Sequence, residues 1–532
     1  MQKTRPLAIA AAVTTALALA LITPQTASAA WTKTSSFTAG VQPGAIAVDS
    51  SSNTVYVGGY AGKGIRAVNG TSHKVIATYK SSHKNNVIQD LATDPVHHYV
   101  VAADHHGAMI VNEATKAVKE VAWRYDANGV AIDPGTGLIF LGGSDEEGTD
   151  YLSEFTESTG ALVWTTEVTV GVAQIAVNTA THKVYLAGYN TGAVSVVSES
   201  SGVESEFSAA SGNCASSTGG CGPAGIAVNA ATGMLYVSNN EPNDGTNFIS
   251  VINTATNGIV TEIPVFTKSS ESNDAPGYMA VNAATNTVYS VDYGPLVVID
   301  GATNAVIKNV ALGKHDYNTQ LATVAVNSTT GVAYVASGQL TSKAPVYSVA
   351  NVPLKLSSST PKISGKAVVN GTLTATAGRW TNGTSLAYQW KIAGVPVVSG
   401  GTGTTYTVKP SDVDKKITVR VTGSQAGYAT KAVTSASTKK VASAPFAADP
   451  IPTIGGTLTV NSILTATAAG WSPTATFTYK WYRSGKKITG AKGQTYTLVA
   501  KDHGKKITVK VTGSAVGYTT TTKSSAATGA IS

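Results

Sequence analysis

From Ala47 onward, short apolar runs alternate with brief polar turns on a repeating plan. An apolar strand ends at an Asp or Asn. A tight turn of Ser, Thr, Asn and Gly follows, and a second apolar strand then begins. The phrase recurs seven times: "AVDSSSNTVYVGG" from Ala47, "ATDPVHHYVVAA" from Ala92, "AIDPGTGLIFLGG" from Ala131, "AVNTATHKVYLAG" from Ala176, "AVNAATGMLYVSN" from Ala227, "AVNAATNTVYSVD" from Ala280 and "AVNSTTGVAYVAS" from Ala325. The marker Asp or Asn stands at 49, 94, 133, 178, 229, 282 and 327, at intervals of 45, 39, 45, 51, 53 and 45. Each unit carries third and fourth strand-like runs, such as "LVVIDGATN" and "AVIKNVAL". Units of this length and strand count predict an all-β, seven-bladed propeller over residues 31–350. The last unit lacks an evident fourth strand. The segment "WTKTSSFTAG" (31–40) reads as a strand and is expected to supply it, closing the ring and removing free sheet edges.

The [AV]-V-N-x-x-T-x-x-[VL]-Y-V phrase resembles the YVTN-repeat family of bacterial seven-bladed propellers, across about residues 31–350. The resemblance implies a fold and leaves activity open, because propellers host binding proteins, lyases and lactonases alike. A second repeat follows. "GRWTNGTSLAYQWKIAG" (378–394) matches "AGWSPTATFTYKWYRSG" (469–485), and "TTYTVKPSDVDKKITVRVTGSQAGYAT" (404–430) matches "QTYTLVAKDHGKKITVKVTGSAVGYTT" (494–520). Thr/Val alternation with aromatic anchors predicts two β-sandwich domains, 351–441 and 442–532, joined at a hinge in "VASAPFAADP" (441–450). They resemble the tandem cysteine-free Ig-like repeats of secreted actinobacterial proteins.

Composition adds location. Lys3 and Arg5 precede the apolar run "LAIAAAVTTALALALI", and "ASA" ends at Ala29, so residues 1–30 read as a signal peptide. That run is too short for a confident membrane span, and no later stretch is long and apolar enough. The expected product is exported, with no lipidation cysteine or LPxTG-type motif for covalent attachment. In an oxidising exterior the two cysteines, Cys214 and Cys221, are expected to form a disulfide. The net charge of +8 conceals an asymmetry: residues 31–350 hold 14 Lys and Arg against 26 Asp and Glu, whereas residues 351–532 hold 22 against 4. The basic half suits an anionic cell-wall polymer. The equal alternative is that Lys keeps Thr-rich strands soluble and their edges blunt. Nucleic acid is a poor partner for an exported chain.

Candidate chemistry follows from aligning the units. The turn after each marker is short and repetitive, whereas the loops at the opposite end vary, so that variable face is the expected functional one. Eleven residues beyond each marker, on that face, stand Tyr60, His105, Ser144, Tyr189, Asn240, Tyr293 and Gly338, with Asp104 and Asp292 beside two of them. Four residues before the markers stand Asp90, Gln174, Tyr278 and Thr323. Rings with amides and carboxylates around an opening suit an extracellular glycan or protein, although turn tyrosines are also ordinary surface residues. "VAADHHGAM" (101–109) suggests an alternative, a propeller lyase or hydrolase using His105 and nearby acids. The sequence carries no HExxH, GxSxG or phosphate-loop motif, so no catalytic residue, metal or cofactor is assigned.

Overall fold

A computed structural model of the protein describes residues 30–60, 64–83, 87–188, 192–200, 202–211, 223–239, 246–267, 277–291, 295–313, 321–337, 341–425 and 427–532. The chain divides into two compact units, Met1–Val352 and Pro353–Ser532.

The first unit contains seven four-stranded antiparallel sheets. Blade one runs Gln42–Asp49, Thr54–Tyr60, Ile65–Asn69 and Val75–Tyr79. Blade two runs Ile88–Asp94, Tyr99–Asp104, Gly107–Asn112 and Val118–Ala122. Blade three begins at Asp126, and blades four to six follow the same order. Blade seven has three strands of its own, Leu321–Asn327, Val332–Ser337 and Pro345–Val352, and takes Ala30–Thr38 as its outer fourth. That strand pairs antiparallel from Ala30 opposite Val352 to Thr38 opposite Pro345. The innermost strands pack blade against blade, the first against the seventh, so the ring is a closed β-propeller.

The repeated phrase has a local cause. Each marker side chain folds back as an Asx turn, accepting the backbone N–H two residues on: Asp49 Oδ1 from Ser51 at 2.7 Å, Asp133 Oδ1 from Gly135 at 2.7 Å, Asn229 Oδ1 from Ala231 at 3.1 Å. Four residues after the marker the backbone is left-handed at Asn53, His98, Gly137, His182, Gly233, Asn286 and Gly331. Gly suits that conformation, and Asn and His are the non-glycine residues that enter it most readily, with Asp. Seven residues after the marker comes the large buried residue that fills the space between blades: Tyr56, Phe140, Tyr185, Tyr236, Tyr289 and Tyr334, with Val101 in blade two. Tyr334 packs among Val48, Val55 and Val57 of blade one and donates its hydroxyl to Gly70 O at 3.1 Å.

In the second unit each repeat is a three-stranded and a four-stranded sheet around a shared core. The first repeat sets Lys362–Ser364, Thr372–Thr376 and Thr405–Thr407 against Val395–Pro396, Ser385–Ile392, Ile417–Ser424 and Lys431–Thr434. Trp390 and its counterpart Trp481 are fully buried and donate to Gly403 O and Gly493 O. The expected hinge is instead a packed junction. Val441, Ala444 and Phe446 are buried, and Phe446 lies edge-on to Trp471 at 4.9 Å and tilted against Tyr518 at 5.6 Å. An apolar Phe in a short Ala/Pro segment is more stable covered by two rings than hydrated, which fixes the segment.

Candidate functional site

A β-bulge decides which side chains reach the mouth of the propeller on the variable-loop face. The pairing register of the innermost strand slips between Pro43 and Ala45, Ile88 and Asp90, Ala127 and Gly129, Pro223 and Gly225, and Leu321 and Thr323. The skipped residue lies five before the marker and is left unpaired, so its side chain is re-aimed. In blades two and three that residue is an amide, Gln89 or Asn128. Both line a cleft of about 420 Å³ together with Ser144, Asp150 and Tyr278. Ser144 Oγ donates to Asp150 Oδ1 at 2.6 Å, which holds the "SDEEGTD" loop against the cleft.

His105 stands beside this cleft, half-exposed, with its Nε2 3.2 Å from Gln89 Nε2. Its Nδ1 is 3.7 Å from the exposed carboxylate of Asp126, too far for a hydrogen bond. His106 turns away and lies against His83, ring centroids 4.4 Å apart.

Other residues predicted for the rim do different work. Asp104 is buried, and its Oδ1 accepts the His106 N–H at 2.8 Å, so it shapes the hairpin turn. Asp90 lies inside the wall. Its oxygens accept Leu91 N–H at 2.9 Å and Val130 N–H at 3.1 Å, tying blade two to blade three. Burial pushes its carboxyl up to about 7, against the pull of those two donors. Gln174 uses the same slot for the same purpose, accepting the Ile226 N–H of blade five at 2.9 Å. Tyr278 remains at the mouth, and Thr323 is buried. Tyr189, Asn240, Asp292 and Tyr293 lie outside the described residues, as do Cys214 and Cys221, and of Tyr60 only the backbone strand is described. The bulge-borne Gln89 and Asn128 were invisible to simple alternation, although their amide identity at one slot in consecutive blades was a usable signal.

The opposite face, read from sequence as scaffold, carries three sets of ligand-type side chains at consecutive blade junctions: Asp49, His98 and Glu113; Asp94, His97 and Glu157; Asp133, His182 and Glu199. Burial, reinforced by the neighbouring Asp, pushes Glu113 up to about 7, Glu157 to about 8 and Glu199 to about 7.

No protein-family model matches the chain, and no curated protein matches it. Among solved structures the chain is similar to Kuenenia stuttgartiensis hydrazine synthase at 12% identity and TM-score 0.45, covering 56% of this chain and 92% of that one. It is also similar to a chain of the mitotic checkpoint complex (12%, TM-score 0.48, 66% and 100%) and to U3-55K (11%, TM-score 0.47, 62% and 100%). Likeness at this level says nothing about activity. Among the described residues, no helix is long and apolar enough to cross a membrane.

Proposed function

We propose that this is an exported, non-enzymatic recognition protein whose variable propeller face binds a hydroxyl-rich extracellular ligand, a glycan foremost. The observation that carries the reading is the pair of bulge-borne amides, Gln89 and Asn128, facing one cleft with Tyr278, Ser144 and Asp150. Amides and a carboxylate select hydroxyls, and a tyrosine face covers C–H surface. The enzymatic alternative has less support, because among the described residues the acid beside His105 is Asp126 at 3.7 Å, beyond hydrogen-bonding distance. In this reading the repeat phrase places the propeller with the YVTN type and the tandem sandwiches with the Ig-like type. Residues 1–30 direct export.

The basic second unit is proposed to hold an anionic wall polymer. Lys480 stands directly opposite Lys510 on the outer face of one sheet, and Lys510 Nζ lies 5.2 Å from the Tyr482 ring centroid. Like charges set opposite each other destabilise a sheet unless a counter-ion covers them.

The test of the first part is a glycan array probed with the exported chain and with Gln89→Ala/Asn128→Ala. Binding reduced at least tenfold in the variant supports the proposal. Binding unchanged in the variant, or absent from the array and from envelope extracts, overturns it. A His105→Ala variant that abolished turnover of a bound sugar would favour the enzyme instead.

A further inference from the structure

Seven blade junctions share one plan on the marker face, yet they divide into two chemical kinds. At three of the four junctions whose marker is Asn, a neutral partner meets its amide. Asn327 Nδ2 donates to Asn53 Oδ1 at 2.9 Å, Asn229 Nδ2 donates to Asn286 Oδ1 at 2.7 Å, and Asn178 Nδ2 lies 3.5 Å from Thr254 Oγ1. Where the marker is Asp, the next blade always supplies a Glu just after its third strand: Glu113 to Asp49, Glu157 to Asp94, Glu199 to Asp133. A His completes each of these sets and, among the described residues, no other. His98 and His182 occupy the left-handed slot that Asn or Gly fills elsewhere; at the middle junction that slot is Gly137, and His97 reaches in from the preceding blade. An Asp cannot donate the hydrogen bond that Asn gives, so without an ion the facing Asp and Glu must share a proton, which a divalent ion would displace.

We propose that the junctions between blades two and three and between blades three and four are binding sites for a divalent first-row transition ion, held by Asp94, His97 and Glu157 and by Asp133, His182 and Glu199.

The geometry suits that assignment. His97 Nδ1 is hydrogen-bonded to Asp94 Oδ2 at 2.8 Å and lies 3.6 Å from Glu157 Oε1; His182 Nδ1 is hydrogen-bonded to Asp133 Oδ2 at 2.7 Å and lies 3.6 Å from Glu199 Oε2, so a bound ion would take the place of the ring proton in each set. The longer spacing is beyond a hydrogen bond. It is near the roughly 3.3 Å between two ligand atoms about 2.0–2.1 Å from one tetrahedral ion. Glu157 and Glu199 side chains are only 4% and 8% exposed. Their second oxygens, Glu157 Oε2 and Glu199 Oε1, are buried without a hydrogen-bond partner, and a chelating carboxylate satisfies both of its oxygens on one ion. Two carboxylates balance a doubly charged cation. One imidazole in the set favours zinc, manganese or iron(II) over calcium. The half-exposed histidines leave water access to the remaining positions. The first junction is built alike but is less suited to a cation. Ser52 already donates to Asp49 Oδ2 at 2.6 Å, and Lys116 lines the adjoining cleft with Glu113 and His98.

The experiment is elemental analysis of the full, untagged chain, stripped with chelator, reloaded with zinc and dialysed, with thermal unfolding alongside. The expected result is about two zinc equivalents, about one in Glu157→Gln and none in Glu157→Gln/Glu199→Gln, with a zinc-dependent rise in Tm that the double variant loses. Gln keeps the size and polarity of Glu in the buried slot, so the fold should persist. His97→Ala with His182→Asn tests the same sites through exposed side chains, Asn being at home in the left-handed slot. A His106→Ala control should keep both equivalents. Retention of less than one equivalent by the unaltered chain would overturn the proposal, as would retention by the double Gln variant equal to that of the unaltered chain.

Discussion

A carboxyl buried beside another carboxyl holds its proton well above the usual range, and this links three residues to pH. In chelator, Glu113, Glu157 and Glu199 keep a proton in the folded state up to about 7, 8 and 7, against an ordinary 4.5. A folded value above the unfolded one means stability that is complete below pH 4.5 and lost as pH rises through 7 to 8. For Asp94, burial pushes the carboxyl up, but bonds from His97 and Val96 outweigh it and hold it below its usual value. Its contribution is therefore present above pH 3.8 and lost as pH falls below it. The metal-free propeller should show a Tm that falls from pH 5 to pH 8.5, and Glu113→Gln/Glu157→Gln/Glu199→Gln should flatten much of that slope. A slope unchanged in the triple variant would place the titration elsewhere, for instance in Asp90. Residue roles were only partly legible in the sequence. Asp90 and Gln174 were visible as polar residues at one slot, but whether Asp90 faces the mouth or the wall depends on a bulge one residue earlier. The Asp, Glu and His identities were equally visible. Their meaning requires knowing that the residue after strand three of one blade abuts the marker of the blade before it.

Among elements, Ala30–Thr38 and the 441–446 segment carry more than their length suggests. Removing the first would leave Pro345–Val352 as an open edge and uncover Tyr347 and Val349, which Trp31 and its neighbours help to cover. The expected outcome is a loss of at least about 3 kcal/mol, some 4–5 °C in Tm for a unit of this size, with self-association on size exclusion. Phe446→Ala should cost about 3–5 kcal/mol and uncouple the two sandwich repeats, splitting one calorimetric transition into two. Blade strands were easy to read because each repeats seven times with the same turn chemistry. The 441–446 junction was not, since Ala, Ser and Pro around a single Phe look like linker until Trp471 and Tyr518 are placed beside it.

At the scale of the molecule, the charge asymmetry falls on the boundary between the two compact units. Each should therefore respond to its own condition. In calorimetry the propeller transition should move with pH between 5 and 8.5 while the transition of residues 353–532 stays nearly still. Binding of residues 353–532 to teichoic-acid-type polymer should weaken log-linearly with salt, with a slope reduced in Lys480→Gln/Lys510→Gln. Salt-independent binding would mean that the lysines serve solubility alone.

The ring is fastened by its first strand and its last, with Ala30 opposite Val352. Some 320 residues separate those partners, so during synthesis Ala30–Thr38 must wait, unpaired, until the rest of the propeller has emerged. Six blades can form as local hairpins while that strand waits, yet the seventh cannot be completed until the chain reaches its far end. Closure over so long a loop is slow compared with hairpin formation. The final step of folding is therefore an encounter between the two ends of the propeller segment, and the time before it is the interval in which blade seven offers its edge to other chains.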